Sequence, residues 1–131
     1  MTNHCTLEQS QALKEIGFDM PVRDYYYKGE RQPRMTMFYR NYISHDIKTP
    51  APTRSEVLQW AREKHGIDAW VIPMYDFDGV KQYMFIIHKH DDSRIRKPTH
   101  PEAESALVWK IIELIKEIIK ENIHDKLNSA E

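Results

Sequence analysis

The sequence predicts an α+β fold in the order α-β-β-α-β-β-α, with an antiparallel sheet of about four strands packed on two or three helices. Three observations predict it. Capping boxes open helices at residues 6 and 53, an Asp-Gly pair joins two β-rich runs, and a long helical apolar periodicity follows Thr99.

Thr6-Leu7-Glu8-Gln9 is the first capping box, in which the Thr hydroxyl and the Gln side chain each bond the other residue's backbone amide. Leu7, Ala12, Leu13 and Ile16 then give a short amphipathic helix, and Gly17 suits the left-handed residue that stops it. Phe18 and Met20 follow as core candidates. Tyr25-Tyr26-Tyr27 and Met37 to Ile43 read as two strands joined by the polar segment Lys28 to Arg34. Ser44 to Pro52 reads as a linker within the domain.

Pro50 and Pro52 keep the chain extended until Thr53, whose hydroxyl pairs with Glu56 in the second capping box. Val57, Leu58, Ala61 and His65 mark the buried face of this helix, with Trp60 at its margin and Gly66 as its stop. Ile67 to Phe77 is β-branched and aromatic, and Asp78-Gly79 is a two-residue hairpin signal. That turn sets Phe77 opposite Val80, Asp76 opposite Lys81 and Asp68 opposite Lys89. It also puts Trp70, Ile72 and Met74 on one face with Ile87, Phe85 and Tyr83. Val71, Pro73 and Tyr75 then lie with Ile86, Met84 and Gln82 on a second, largely apolar face, which calls for cover by a loop or a second subunit. Pro73 donates no amide hydrogen bond, which suits an edge strand or a bulge.

Thr99 opens the last helix, Pro101 suits its first turn, and Glu102 and Glu104 suit its positive end. Leu107, Ile111, Leu114, Ile115 and Ile118, with Val108, Ile112 and Ile119 alongside, cover about half of the helical wheel. One-sided packing needs only a ~100° stripe. Trp109 falls among Lys110, Glu113, Lys116, Glu117 and Lys120 on the charged side. Trp109, Ile112 and Ile119 are therefore candidates for an interface, against the plainer expectation that Trp109 covers a loop. The expected core is Leu13, Ile16, Phe18, Leu58, Ala61, Trp70, Ile72, Phe85, Ile87, Leu107, Ile111, Leu114 and Ile118.

A chain of 131 residues with 40% hydrophobic and 30% charged residues suits one globular domain, 1–131, with loose ends at about 1–5 and 125–131. A formal net charge of -1 gives no global field toward nucleic acid or membrane surfaces. The single Cys5 excludes an intrachain disulfide and suits a reducing compartment. No secretory leader is legible, and Lys and Glu interrupt the longest apolar stretch, so a cytoplasmic location is expected.

His88-Lys89-His90-Asp91-Asp92 is the strongest chemical cluster. Two histidines on one strand face can share a metal, with Asp92 or His100 completing the site, although a polar strand end explains the same residues. Arg31, Arg34 and Arg40, with Arg23 and Lys28, interleave with Tyr25, Tyr26 and Tyr27, as a single-strand nucleic-acid binder requires. A half-buried hairpin with solvated basic residues is the alternative. Asp68, Asp76 and Asp78 have structural readings in the hairpin, and His4 beside Cys5 does not by itself activate a thiol. Four glycines leave no phosphate-binding loop. No catalytic constellation and no cofactor follow from these residues.

The stretches CTLEQSQALKEIGFDMP, APTRSEVLQWAREKHGIDAWV and PEAESALVWKIIELIKE resemble a family of small uncharacterised proteins carried by phages and prophages of gut Bacteroidales. Ala51 to Ile67 is the most specific block. The resemblance implies a mobile-element origin and an accessory protein of the bacterial host cytoplasm, without an assigned activity. Together with the surplus apolar surface it leads to the expectation of a non-enzymatic interaction module, homodimeric or bound to another protein. Nucleic-acid binding through residues 23–42 and metal binding through His88 and His90 are the alternatives.

Overall fold

The computed structural model describes residues 3–27, 30–32, 48–90 and 95–129. The fold is α+β, and among the described residues it holds three helices and two antiparallel three-stranded sheets. The elements are α1 (Leu7–Glu15), β1 (Tyr25–Tyr27), β2 (Glu30–Gln32), β3 (Lys48–Pro50), α2 (Arg54–His65), β4 (Ala69–Tyr75), β5 (Lys81–Ile87), β6 (Arg96–Lys97) and α3 (His100–Ser129). The strands expected in a single sheet divide into β2-β1-β3 and β4-β5-β6.

Local chemistry starts and stops the helices as the sequence indicates. Thr6 and Thr53 each close a complete capping box, with Gln9 and Glu56 as the reciprocal partners. Gly17 and Gly66 carry positive φ after α1 and α2, where a side chain would be strained. Thr99 Oγ1 accepts from the Glu102 amide at 3.3 Å and so caps α3.

The first sheet differs from expectation. Tyr25–Tyr27 is its central strand, paired with Glu30–Gln32 on one side and Lys48–Pro50 on the other. Both neighbours fall in stretches that read as connections, because Glu-Arg-Gln and Lys-Thr-Pro carry no apolar alternation to betray a strand. The strand expected over 37–43 lies outside the described residues. The N-terminal segment, expected to be loose through residue 5, is held at residues 3–5. The Cys5 amide donates to Pro52 O and the Arg54 amide to Asn3 O, both at 2.9 Å.

The β4–β5 register is one residue away from the expected one. Ala69 faces Ile87, Val71 faces Phe85 and Tyr75 faces Lys81. The loop is Phe77-Asp78-Gly79 rather than Asp78-Gly79 alone. The Gly79 amide donates to Asp76 O at 3.0 Å, and the Asp76 amide donates to Val80 O at 3.1 Å. Asp76 Oδ1 accepts from the amides of Asp78 and Val80, both at 2.9 Å. Gly79 takes φ +79°, so the turn is a three-residue loop closed by a left-handed glycine. A slip of one residue exchanges the two faces of a strand. Ala69, Val71, Phe85 and Ile87 consequently face the core, and Trp70 and Ile72, expected there, face away from it.

The helices cover only this inner face. Leu107, Val108, Ile111, Ile112 and Ile115 of α3 pack with Phe85 and Ile87, while Leu13, Ile16 and Phe18 join from α1 and Val57, Trp60 and Ala61 from α2. Trp60, placed at a helix margin by its spacing, is fully enclosed. Its Nε1 donates to Asp19 Oδ1 at 3.0 Å, and its ring meets Phe18 and His65 edge-on. Leu58 and Ile118, expected in the core, are half-buried at its border.

Candidate interaction surface

The expected charge pairs of the hairpin do not form in the slipped register. Asp68 is 3.8 Å from Arg62 instead of opposite Lys89, and Lys81 sits over the Tyr83 ring at 5.4 Å. What the register creates is an outer face of Trp70, Ile72 and Met74 against Ile86, Met84 and Gln82. None of these residues belongs to the core or packs against it. Trp70 is 44% exposed, and the loop beyond places Phe77 wholly in solvent with Tyr75 and Val80 beside it. Arg96 stands opposite Met84 at the third strand of the same face.

The hairpin's backbone edges are closed to a further strand. The bonds Asp76 N–H to Val80 O and His88 N–H to Asp68 O show that even-numbered β4 residues bond toward β5. Odd-numbered residues therefore point their amides at the free edge, and in the middle of that edge stands Pro73, which has none. On the opposite side Pro98 directly follows the two-residue β6. Proline on each edge leaves the apolar face, and not a strand edge, as the candidate contact surface of this sheet.

The other predicted interface residues separate. Ile112 is 2% exposed and belongs to the core, so it is removed as a contact residue. Ile119 is half-buried at the border of the core. Trp109 is 44% exposed and lines an open groove of 480 Å³ with Lys97, Pro98, Glu102, Ser105 and Ala106. It lies beside the β6–α3 connection.

The tyrosine-arginine stretch does not present a stacking platform at its first positions. Tyr25 is 2% exposed, and the Tyr26 hydroxyl donates to Cys5 O at 2.7 Å. Tyr26 faces Arg31 in the backbone register, while the side chains of Tyr27 and Arg31, and Arg34 and Arg40 entirely, lie outside the described residues. His88 and His90 do not share a strand face. The chain turns after Ile87, Lys89 takes φ +68°, and the His90 amide folds back to Ile87 O at 3.0 Å. Among the described residues no three His, Cys, Asp or Glu side chains converge as a metal site.

A buried polar seam, invisible in the spacing, joins the N-termini of the three helices. Arg54 is buried, and its Nε donates to Glu104 Oε1 at 2.7 Å. Gln9 is buried too, and its Nε2 donates to Ser105 Oγ at 2.9 Å while its Oε1 accepts from the Thr6 amide. His4 Nε2 pairs with Asp24 Oδ2 at the rim. Burial pushes the adjacent Cys5 thiol up to about 12, the Arg54 charge opposing only in part, so Cys5 is a thiol and not a nucleophile at neutral pH.

No family model, no curated protein and no solved structure matches the chain. Among the described residues no helix is long and apolar enough to cross a membrane.

Proposed function

We propose that this chain is a protein-interaction module whose docking surface is the outer face of the β4–β5 hairpin. The observation that carries the reading is the pair of apolar rows, Trp70-Ile72-Met74 and Met84-Ile86, outside the core on a hairpin whose tip presents Phe77 to solvent. Trp70 is exposed and the other four residues of these rows are half-buried, and a contiguous apolar face left outside the core is the kind of surface that marks docking sites. A large aromatic such as Trp70, here at the base of the row, is a frequent anchor of such surfaces. The resemblance to small phage and prophage proteins supports an accessory role, exercised by binding rather than by chemistry.

The test is a photo-activatable cross-linker placed at Phe77 in cells that express the protein. A discrete cross-linked species that disappears with Trp70→Glu supports the reading. Equal yields with and without Trp70→Glu, or cross-links only from a probe at Trp109, would sink it.

A further inference from the structure

Trp60 is a core residue whose cover includes a titratable ring. Its Nε1 donates to Asp19 Oδ1 at 3.0 Å, which ties the loop after α1 to α2. Phe18 from the same loop meets the indole edge-on at 5.0 Å. His65, half-buried, closes a further side, its imidazole 4.9 Å from the indole and inclined at 76°. The tryptophan is left 3% exposed. It nevertheless lines an open groove of 290 Å³ with Asp19, Met20, Pro21, Glu63 and Lys64.

His65 is also the last residue of α2, directly before the left-handed Gly66. That place offers its ring two environments. Against the indole it is partly removed from water, which favours the neutral imidazole. Turned outward it stands at the helix C-terminus in water, where the last carbonyls and the negative end of the helix dipole favour the imidazolium. Two charged groups act on it. Lys64 on its own helix opposes protonation, and Asp19 on the facing loop favours it. Burial is the largest influence, and together with Lys64 it holds the His65 pKa below its ordinary 6.5. Asp19 stays ionised while His65 titrates, because the Trp60 hydrogen bond and Lys64, 3.5 Å from its Oδ2, hold its carboxyl below 3.8. The bond that positions the indole is therefore the same on both sides of the histidine titration.

We infer that His65 is a proton-operated cover on Trp60, lying against the indole when neutral and turning out to the end of α2 when protonated. Asp19 keeps the indole in place as the cover leaves. Acid thus exposes more of an aromatic ring that already lines the groove, without unfolding α2 or the loop that faces it.

The test is fluorine NMR of the full chain carrying fluorinated tryptophan, between about pH 7 and pH 5, with a soluble gadolinium chelate as the probe of exposure. The Trp60 signal is the one retained in both Trp70→Phe and Trp109→Phe. Far-UV circular dichroism at each pH follows the folded state. The expected result is a several-fold rise in gadolinium relaxation of the Trp60 signal as the pH falls, with a midpoint that coincides with the titration of the His65 ring. His65→Gln should hold the relaxation at its neutral-pH value throughout, and Lys64→Gln should move the midpoint to higher pH. A Trp60 signal that stays protected while His65 titrates would overturn the inference, the imidazolium then remaining on the indole as a cation held by an aromatic ring. A rise that persists in His65→Gln, or one that appears only with loss of the helical signal, would overturn it equally.

Discussion

Arg54 shows how much of this fold rests on single side chains whose partners are far away in sequence. Its guanidinium is buried against Glu104 and ties the start of α2 to the start of α3. Removing one member of such a pair strands the other charge, so Arg54→Ala is expected to cost about 3–5 kcal/mol in urea denaturation. Arg54→Met combined with Glu104→Leu should recover most of that loss, since a well-packed apolar pair avoids the desolvation altogether. At the other end of α2, burial holds the His65 pKa below its ordinary 6.5, with Lys64 adding to the shift and Asp19 opposing it. The folded imidazole binds a proton less readily than the unfolded one, so acid favours unfolding. This contribution is intact above pH 6.5 and is lost as the pH falls through the folded value. Asp19 acts in the same direction further down, because its hydrogen bond from Trp60 and the nearby Lys64 hold its carboxyl below 3.8. His65→Gln should flatten the stability profile between about pH 7 and pH 5, measured by thermal melts across that range. The caps at Thr6 and Thr53 were legible in the sequence because donor and acceptor lie three residues apart. Arg54 and Gln9 were not, since their partners lie 50 and 96 residues away and no local pattern marks them.

At the scale of elements, the β4–β5 hairpin is where a short-range signal misleads. Asp78-Gly79 is a strong two-residue turn pair, yet Asp76 and Gly79 also stand at the first and fourth positions that a type I turn prefers. The Asp76 carboxylate decides between them by accepting two loop amides, which the two-residue turn would not present to it. Because odd-numbered β4 residues form the non-hydrogen-bonded pairs, the Hα protons of Val71 and Phe85 lie close across the ladder. A strong nuclear Overhauser contact between them is expected, and a strong contact between Ile72 and Phe85 would restore the two-residue turn. Gly79→Ala meets no atom within 4 Å but must hold φ +79°, so it should destabilise by about 1–2 kcal/mol in urea denaturation through backbone strain alone. The existence of both strands, the starts of all three helices and the ends of α1 and α2 were readable, and Pro73 pointed to an edge strand or a bulge. The short strands β2 and β3 were not, since at three residues each their pairing is set by the central Tyr25–Tyr27 strand and not by their own composition.

The whole molecule is asymmetric in a way the sequence announces only in part. A second apolar face on the hairpin was expected from composition, but the residues assigned to it depended on the register, and the slip exchanged Trp70, Ile72 and Met74 for Val71, Pro73 and Tyr75. The surplus apolar arc of α3 divides in the same manner. Ile112 fills the core, Ile119 is half-buried at its border, and Trp109 borders a groove beside β6. Pro73 interrupts one edge of the hairpin's sheet and Pro98 follows the other, so the proposed docking surface is a face and not an edge. Hydroxyl-radical footprinting of the protein inside expressing cells, compared with the dilute purified protein, tests that claim most directly. Oxidation of Trp70, Met74 and Met84 should fall several-fold in cells while that of Trp109 is unchanged. Equal oxidation of the hairpin face in both samples, with protection at Trp109 instead, would contradict the account and move the docking surface to the groove beside α3.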